Sequence, residues 1–512
     1  KTSLHRIKLR AVEFSSKLAR DKMRNLENEA VSVLSSKSLP KYYETRARIL
    51  EFLYQVAITE RRYGNAEAYL NQLTEIKREL CGEESPEHHL ARLALANFYL
   101  DFTNKIEEAG KIYEESYLNV VSKEIDVQHK DLFGILTHLA QYYEMTDKYD
   151  LATRTLIEAG DAVRAKFNSE DILYGIGLNN IAKLQLQLGD YDNAGKNIEK
   201  AIQVIDTKSN RDYPEHHPAY INALETQARL YGIKGLFDEA ESNLGRTRKL
   251  ITRAAVPIDE LSSAKELSTL FIQLGKYSET DKLLNKLIEE YQRVFGPNSI
   301  RLIEPLVNKG RILLAKGDYT EADRVARRAN DLATTIYGEQ STKTAPTQKL
   351  LADINYSLGD YESAEKNLIK AVASQERQFG RQHIEVAKSM SQLALVKFHK
   401  GDNSKGVENL MIEARDIMAD KLGKENPQYA EILKNVAVLY ISEGRYDIAF
   451  NSLTVAERIW RAKTGSKNNI NLASIYTLTG DVYYQQRNYR KAEEFYNKSK
   501  KLYEDYFSVN HP

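Results

Sequence analysis

Two histidine pairs, His88-His89 and His216-His217, are the first candidates for chemistry in this chain. Imidazole is a common zinc ligand, and paired rings at equivalent places in a sequence invite a metal site. The pairs lie three structural units apart, however, and packed helices stand about 8–10 Å from one another. Bonds to zinc are only about 2 Å long, so the two pairs predict no shared ion and no metal site. Gly175-Ile176-Gly177 begins like a dinucleotide-binding loop but lacks the further glycine and the strand-to-helix context. No Walker loop, no Gly-x-Ser-x-Gly and no His-Glu-x-x-His occurs. The carboxylates are many, but none is paired in a way that would displace its titration. The expectation is a chain with no catalytic residue, no cofactor and no metal.

Tyrosine is the other reactive type in excess, with 32 copies. Most of them, among them Tyr63, Tyr143, Tyr231, Tyr361, Tyr446 and Tyr489, recur at turns or packing positions and are expected in the core. Only surplus tyrosines such as Tyr356 and Tyr484 are candidates for touching a ligand.

What must position these side chains is a repeat. A small residue following an aromatic turn recurs as Ala66, Ala109, Ala152, Ala194, Ala240, Thr280, Ala322, Ala364, Gly406, Ala449 and Ala492, at spacings of 40 to 46 residues. A period of that size means stacked units, each of which touches only its neighbours. The unit reads as two helices. In Thr342–Phe379 the spacing predicts helix A over about Lys343–Leu358 and helix B over about Glu362–Gln378. Gly359-Asp360-Tyr361 separates them: glycine ends one helix in the left-handed conformation and aspartate caps the next. Similar turns stand at Gly189-Asp190-Tyr191, Gly235-Leu236-Phe237, Gly275-Lys276-Tyr277, Gly317-Asp318-Tyr319 and Gly444-Arg445-Tyr446. Small residues on helix A (Ala182, Ala228, Gly310, Ala352) are expected to meet large ones on helix B (Ile198, Leu244, Leu368).

Composition agrees with a folded chain and excludes some functions. Lys plus Arg (73) nearly equals Asp plus Glu (72), so there is no basic excess for nucleic acid. No run of about 18 apolar residues exists to span a membrane. The single cysteine, Cys81, excludes a disulfide framework within the chain. It fits a cytoplasmic location best and is compatible with a bacterial periplasm or envelope. The first residues, Lys1-Thr2-Ser3, lack an initiator methionine, which suggests a fragment of a longer protein.

The Gly-x-Tyr turn with alanine three residues beyond its aromatic resembles the tetratricopeptide repeat. The long period, about 42 rather than about 34 residues, resembles the repeats of kinesin light chains. So do the joins Phe295-Gly296-Pro297-Asn298, Tyr337-Gly338-Glu339-Gln340, Phe379-Gly380-Arg381-Gln382-His383 and Leu422-Gly423-Lys424-Glu425-Asn426-Pro427. The resemblance implies an all-α, right-handed superhelical solenoid of about eleven helix-turn-helix units over residues 42–507. Residues 1–41 are expected to be a capping helix or degenerate repeat, and 508–512 the start of a further unit or a truncated end. Two departures stand out. Gly401-Asp402-Asn403-Ser404-Lys405-Gly406 loses both the aromatic and the alanine, and Thr207–Pro218 reads as the longest loop.

The same resemblance places helix A on the concave face and implies that amides two positions before its small residue grip a peptide backbone. Those positions hold Asn180, Asn308 and Asn435, with Gln392 and His138 as polar substitutes. Three positions further on stand Gln141, Lys183, Arg229 and Arg311, which suit acidic groups of a ligand. The expected function is a non-catalytic scaffold for a peptide or protein segment. Two alternatives remain open at this point: a sensor module of a larger effector enzyme, and a structural subunit of a large assembly.

Overall fold

The computed structural model describes residues 17–34, 43–122, 129–167, 171–212, 218–253, 260–402, 404–464 and 469–507. Among these residues every regular element is helical, with no strand. A helix at Lys17–Leu34 precedes eleven helix pairs. Repeats one to four are Tyr43–Thr59 with Tyr63–Cys81, Pro86–Phe102 with Ile106–Ser122, His129–Met145 with Tyr149–Phe167, and Ile172–Leu188 with Tyr191–Asp212. Repeats five to eight are Pro218–Ile233 with Phe237–Arg253, Glu260–Gln273 with Tyr277–Phe295, Ile303–Ala315 with Tyr319–Tyr337, and Ala345–Ser357 with Tyr361–Phe379. Repeats nine to eleven are Ile384–His399 with Lys405–Leu422, Pro427–Ser442 with Tyr446–Thr464, and Asn471–Gln485 with Tyr489–Tyr506.

Local chemistry sets these boundaries. Asp318 and Asp360 accept from the backbone N–H of Glu321 (3.2 Å) and Ser363 (3.1 Å), capping helix B as expected. Arg61, Asp147 and Arg487 take the left-handed conformation where glycine is missing, with φ of 58°, 59° and 61°. The expected packing of helix A against helix B is present at Gly480, where a Cβ would lie 2.5 Å from Tyr496 Cε1, whereas Gly310 instead faces helix A of the next repeat, a Cβ there lying 2.6 Å from Leu350 Cδ2.

Two expectations change. Helix B of repeat four continues to Asp212, so the first half of the expected Thr207–Pro218 loop is helical. Nothing before Pro214 interrupts a helix there. Residues 213–217, which include His216-His217, lie outside the described residues, as do residues 1–16 and Asn403.

The larger change concerns which repeats touch. The turn between helices A and B of one repeat packs against the fifth repeat beyond it. In repeat two, Asn104 Nδ2 donates to Asn298 O (2.7 Å) and its Oδ1 accepts from Ile300 N (2.9 Å). In repeat three, Asp147 accepts from the N–H (3.1 Å) and the hydroxyl of Thr342. In repeat four, Gln187 O accepts from His383 Nε2 (3.1 Å). In repeat five, Ile233 O accepts from Asn426 Nδ2 (2.8 Å), and in repeat six Gln273 O accepts from Asn471 Nδ2 (3.1 Å). The last carbonyls of a helix have no partner within it. Here the next coil of the superhelix supplies the donors, from residues at the start of a later helix A.

Aromatic contacts follow the same step of five. Tyr63 stacks on Phe295, Phe237 on Trp460 and Tyr277 on Phe507, at centroid distances of 5.1, 6.1 and 5.4 Å. Covered by the second coil, Tyr149 is 4% exposed, whereas Tyr489 in repeat eleven is 60% exposed. The superhelix therefore closes on itself along a seam, with about five repeats per turn.

A candidate ligand chamber on the superhelical axis

Because consecutive coils touch, the concave face surrounds the axis instead of forming an open groove. Two connected cavities lie there, of about 860 and 530 Å³. The larger is walled by repeats two to ten and the smaller by repeats five to eleven. Gly232, Gln273, Arg311, Lys349, Lys388 and Gln428 line both, so the cavities meet at Arg311.

The sequence-derived candidates distribute as follows. Gln141, Arg229, Asn308 and Arg311 line the larger chamber, and Arg311, Gln392 and Asn435 the smaller. His138, Asn180 and Lys183 line neither. His138 bonds Gly134 O (2.7 Å) and Asp101 (3.1 Å). Burial opposes its charge, but Asp101 raises its pKa above the ordinary imidazole value. Asn180 is half-buried, and so is Lys183, whose pKa is lowered by burial and by nearby Arg229. Tyr356 lines the smaller chamber, while Tyr484 packs edge-on against Tyr489 at the far turn.

Several amides already have partners in the protein. Asn308, 2% exposed, donates to Thr269 Oγ1 at 3.0 Å, and Asn435 donates to Ser391 Oγ at 2.9 Å. Gln392 Nε2 donates to Asp353 (2.6 Å) but leaves its buried Oε1 without a donor. Gln428 Oε1 is also buried without a donor.

The chamber charges form a network that the sequence did not reveal. Arg229 pairs with Glu266, and Lys265 reaches Glu304 (3.2 Å) and Glu266 (3.5 Å). Lys349 and Lys388 share Glu385, at 3.4 and 2.6 Å. Burial works against the charge of Glu266, yet Arg229 and Lys265 hold its pKa down to about 2. Burial pushes the Asp353 carboxyl up to about 6 against the pull of Lys349 and Arg311. Arg229 keeps 44% of its side chain accessible and lines the larger chamber. Among the described residues two of the chamber-lining cations, Arg301 and Arg311, make no ion pair with a carboxylate; Arg301 donates to Asp101 O, and Arg311, whose charge Asp353 feels, makes a long hydrogen bond to Asn308 Oδ1 (3.5 Å). Lys265, Glu266, Lys349, Asp353, Glu385 and Lys388 carried no signal in the sequence, because a helix face toward enclosed water has the same composition as one toward bulk water.

His383 links this site to the seam. Its Nδ1 accepts from Glu385 N (3.2 Å) while its Nε2 donates to Gln187 O, an arrangement that requires the neutral ring. Burial lowers its pKa, Glu385 and Gln187 O act in the opposite sense, and Lys388 and Lys421 act with burial. The unfolded chain, titrating near about pH 6.5, then binds the proton more readily than the folded one. This contribution to stability is present above about pH 6.5 and is lost as pH falls through the lowered folded value. His383→Asn, which copies the residue at the next join, is expected to lose less melting temperature than the unmodified chain between pH 7 and pH 5. Equal losses would show that His383 does not titrate against folding. Comparison within the pair is needed because raised His138 has the opposite sign.

Among the described residues no cluster of three metal-ligating groups occurs, and no helix is long and apolar enough to cross a membrane. Tetratricopeptide repeat models match residues 177–206, 306–377, 343–405 and 473–506. No curated protein matches the sequence. Among solved structures, a Rap protein complexed with competence and sporulation factor shares the fold at 12% identity, with a TM-score of 0.54, over 73% of this chain and 98% of that one. A kinesin light chain repeat protein from Podosopora anserina is 20% identical over 40% of this chain and 97% of its own, with a TM-score of 0.31. BtubC from P. vanneervenii is 19% identical over 45% of this chain and 89% of its own, with a TM-score of 0.32.

Proposed function

We propose that this chain, a tetratricopeptide-repeat protein, is a non-catalytic scaffold that holds an extended peptide or protein segment in the chambers on its superhelical axis. The observation that carries this reading is the junction at Arg311. A guanidinium that makes no direct ion pair, though Asp353 feels its charge, shares the chamber wall there with Gln392 and Gln428, whose buried Oε1 atoms have no donor. Buried acceptors without partners are costly, and a turn of either side chain into the chamber would let the backbone N–H groups of an extended segment satisfy them. The cation suits an acidic side chain or a terminal carboxylate. The apolar wall of Phe237, Ile272, Leu395, Ile432 and Trp460 suits alternate side chains. Support by likeness is limited to fold: the Rap protein of similar architecture was solved with competence and sporulation factor.

The test is fluorescence polarisation with an array of labelled linear peptides in which one Asp or Glu is moved along the chain. Peptides that bind are expected to bind Arg311→Ala about 10- to 100-fold more weakly, the worth of a charge-assisted hydrogen bond of about 1.5–3 kcal/mol. Binding unchanged by Arg311→Ala, or no peptide bound below about 1 mM, would refute the reading.

A further inference from the structure

The seam is not uniform along its length. Between repeats four to six and nine to eleven the buried cores of the two coils merge into one apolar cluster, running from Ala182 and Phe237 to Trp460 and Leu502. A Cβ on Gly235 would lie 2.4 Å from Pro427 Cδ, and one on Gly275 2.1 Å from Ile470 Cγ2, so the backbones there are in direct contact with the facing coil. Between repeats one to three and six to eight the buried clusters stay separate. To the first coil's clusters the second coil adds the half-buried Ile300, Ile336, Tyr337 and Phe379, and the ring contacts across the seam are Tyr63 on Phe295 and Tyr149 on Phe379. With no merged core here, the crossing is carried mainly by polar bonds: Asn104 to Asn298 and Ile300, Arg301 to Asp101 O, Asp147 to Thr342, and Lys343 to Glu144 (3.0 Å), whereas the polar bonds of the other stretch add to a shared apolar core. Ile300, Arg301, Thr342, Lys343 and Glu144 also line the larger chamber.

We propose that this polar stretch is the gate through which a ligand reaches the axial chambers, and that the apolar stretch is the hinge about which the second coil swings. The proposal rests on the reading that the chambers hold a ligand. Water can replace each crossing hydrogen bond with a comparable one, so little net free energy keeps the gate shut. Apolar surface has no such replacement, so the merged core stays closed. Both coils wall the chambers, and a segment that enters from the side, between them, must part them. Opening at the gate exposes the chamber wall directly, because the same residues form both. A bound segment touching both coils would in turn hold the gate closed.

Thiol modification tests this without any ligand, in a Cys81→Ser background. Thr342 at the gate and Ile470 at the hinge are each 6% exposed, so static accessibility is matched. Thr342→Cys is expected to react with maleimide at least ten times faster than Ile470→Cys. Adding Glu144→Gln, which weakens the pair with Lys343, is expected to accelerate labelling of the Thr342→Cys variant severalfold and leave that of the Ile470→Cys variant unchanged. For the chamber itself, Lys349→Cys is labelled with maleimide carried on a 5 kDa polymer (a reagent size, on the order of a small protein), and Glu144→Gln is expected to accelerate this reaction too. Equal rates for the Thr342→Cys and Ile470→Cys variants, or bulky labelling of Lys349→Cys indifferent to Glu144→Gln, would overturn the gate. Because no peptide is present, either failure leaves the peptide-binding result standing on its own.

Discussion

Gly235→Ala is expected to destabilise the closed coil by about 3 kcal/mol, whereas Gly359→Ala costs only about 1 kcal/mol. Both glycines end helix A with positive φ, 69° and 79°. An alanine in that conformation carries a penalty of about 1 kcal/mol at either site. The surroundings differ. Nothing lies within 4 Å of a Cβ at Gly359, but at Gly235 it would meet Pro427 Cδ at 2.4 Å and Cγ at 3.0 Å. The pyrrolidine ring has no alternative rotamer into which it can retreat, so the coils must part. Overpacking of this kind costs about 1–3 kcal/mol beyond the conformational term. The single tryptophan, Trp460, stacks on Phe237 across the same seam and reports the change. Its emission is expected to shift to the red and melt earlier in Gly235→Ala than in Gly359→Ala. Identical melts by Trp460 fluorescence would show that the seam is not closed in solution.

Asn426→Ala tests the same contact through hydrogen bonds rather than volume, with an expected loss of about 2–4 kcal/mol. Asn426 is buried; its Oδ1 accepts from Gln428 N (2.8 Å) and its Nδ2 donates to Ile233 O (2.8 Å). One side chain therefore caps its own helix and donates to the last carbonyl of a helix 193 residues earlier. Loss of the cap costs about 1 kcal/mol. The carbonyl, left with only the long bond from Gln428 Nε2 (3.5 Å), costs about 1–3 kcal/mol more. Asp360→Ala removes a cap alone, since Asp360 is exposed and accepts only from Ser363, and about 1 kcal/mol is expected. Thermal melts of both variants followed at Trp460 decide the matter. Similar losses at the two sites would mean that Asn426 acts only as a local cap.

Much of the architecture was legible from residues alone. The Gly-Asp-Tyr turn at 359–361 and the small residues Ala352 and Ala364 placed helices A and B of repeat eight within two residues of Ala345–Ser357 and Tyr361–Phe379. These signals are short-range: a cap, a left-handed glycine and a small residue facing a large one all act within about forty residues. The chamber was legible only in part. Arg229, Asn308, Arg311, Gln392 and Asn435 do line it, because the period fixes which side of helix A faces the axis. That Arg229 pairs with Glu266 while Arg311 makes no direct ion pair follows from the charges of neighbouring repeats, and those vary without a period.

The chain by itself determined that helices form, pair and stack in register, because each of those steps is decided by residues close together along it. Only the tertiary structure decided that the superhelix winds tightly enough to close. Gly235 and Gly359 occupy the same place in the repeat, and His383 and Asn426 stand in equivalent joins between repeats. What distinguishes Gly235 from Gly359, and turns His383 and Asn426 into a seam, is a second coil arriving almost two hundred residues later. The pitch that brings it there is the sum of small rotations between successive repeats, and no local pattern encodes a sum.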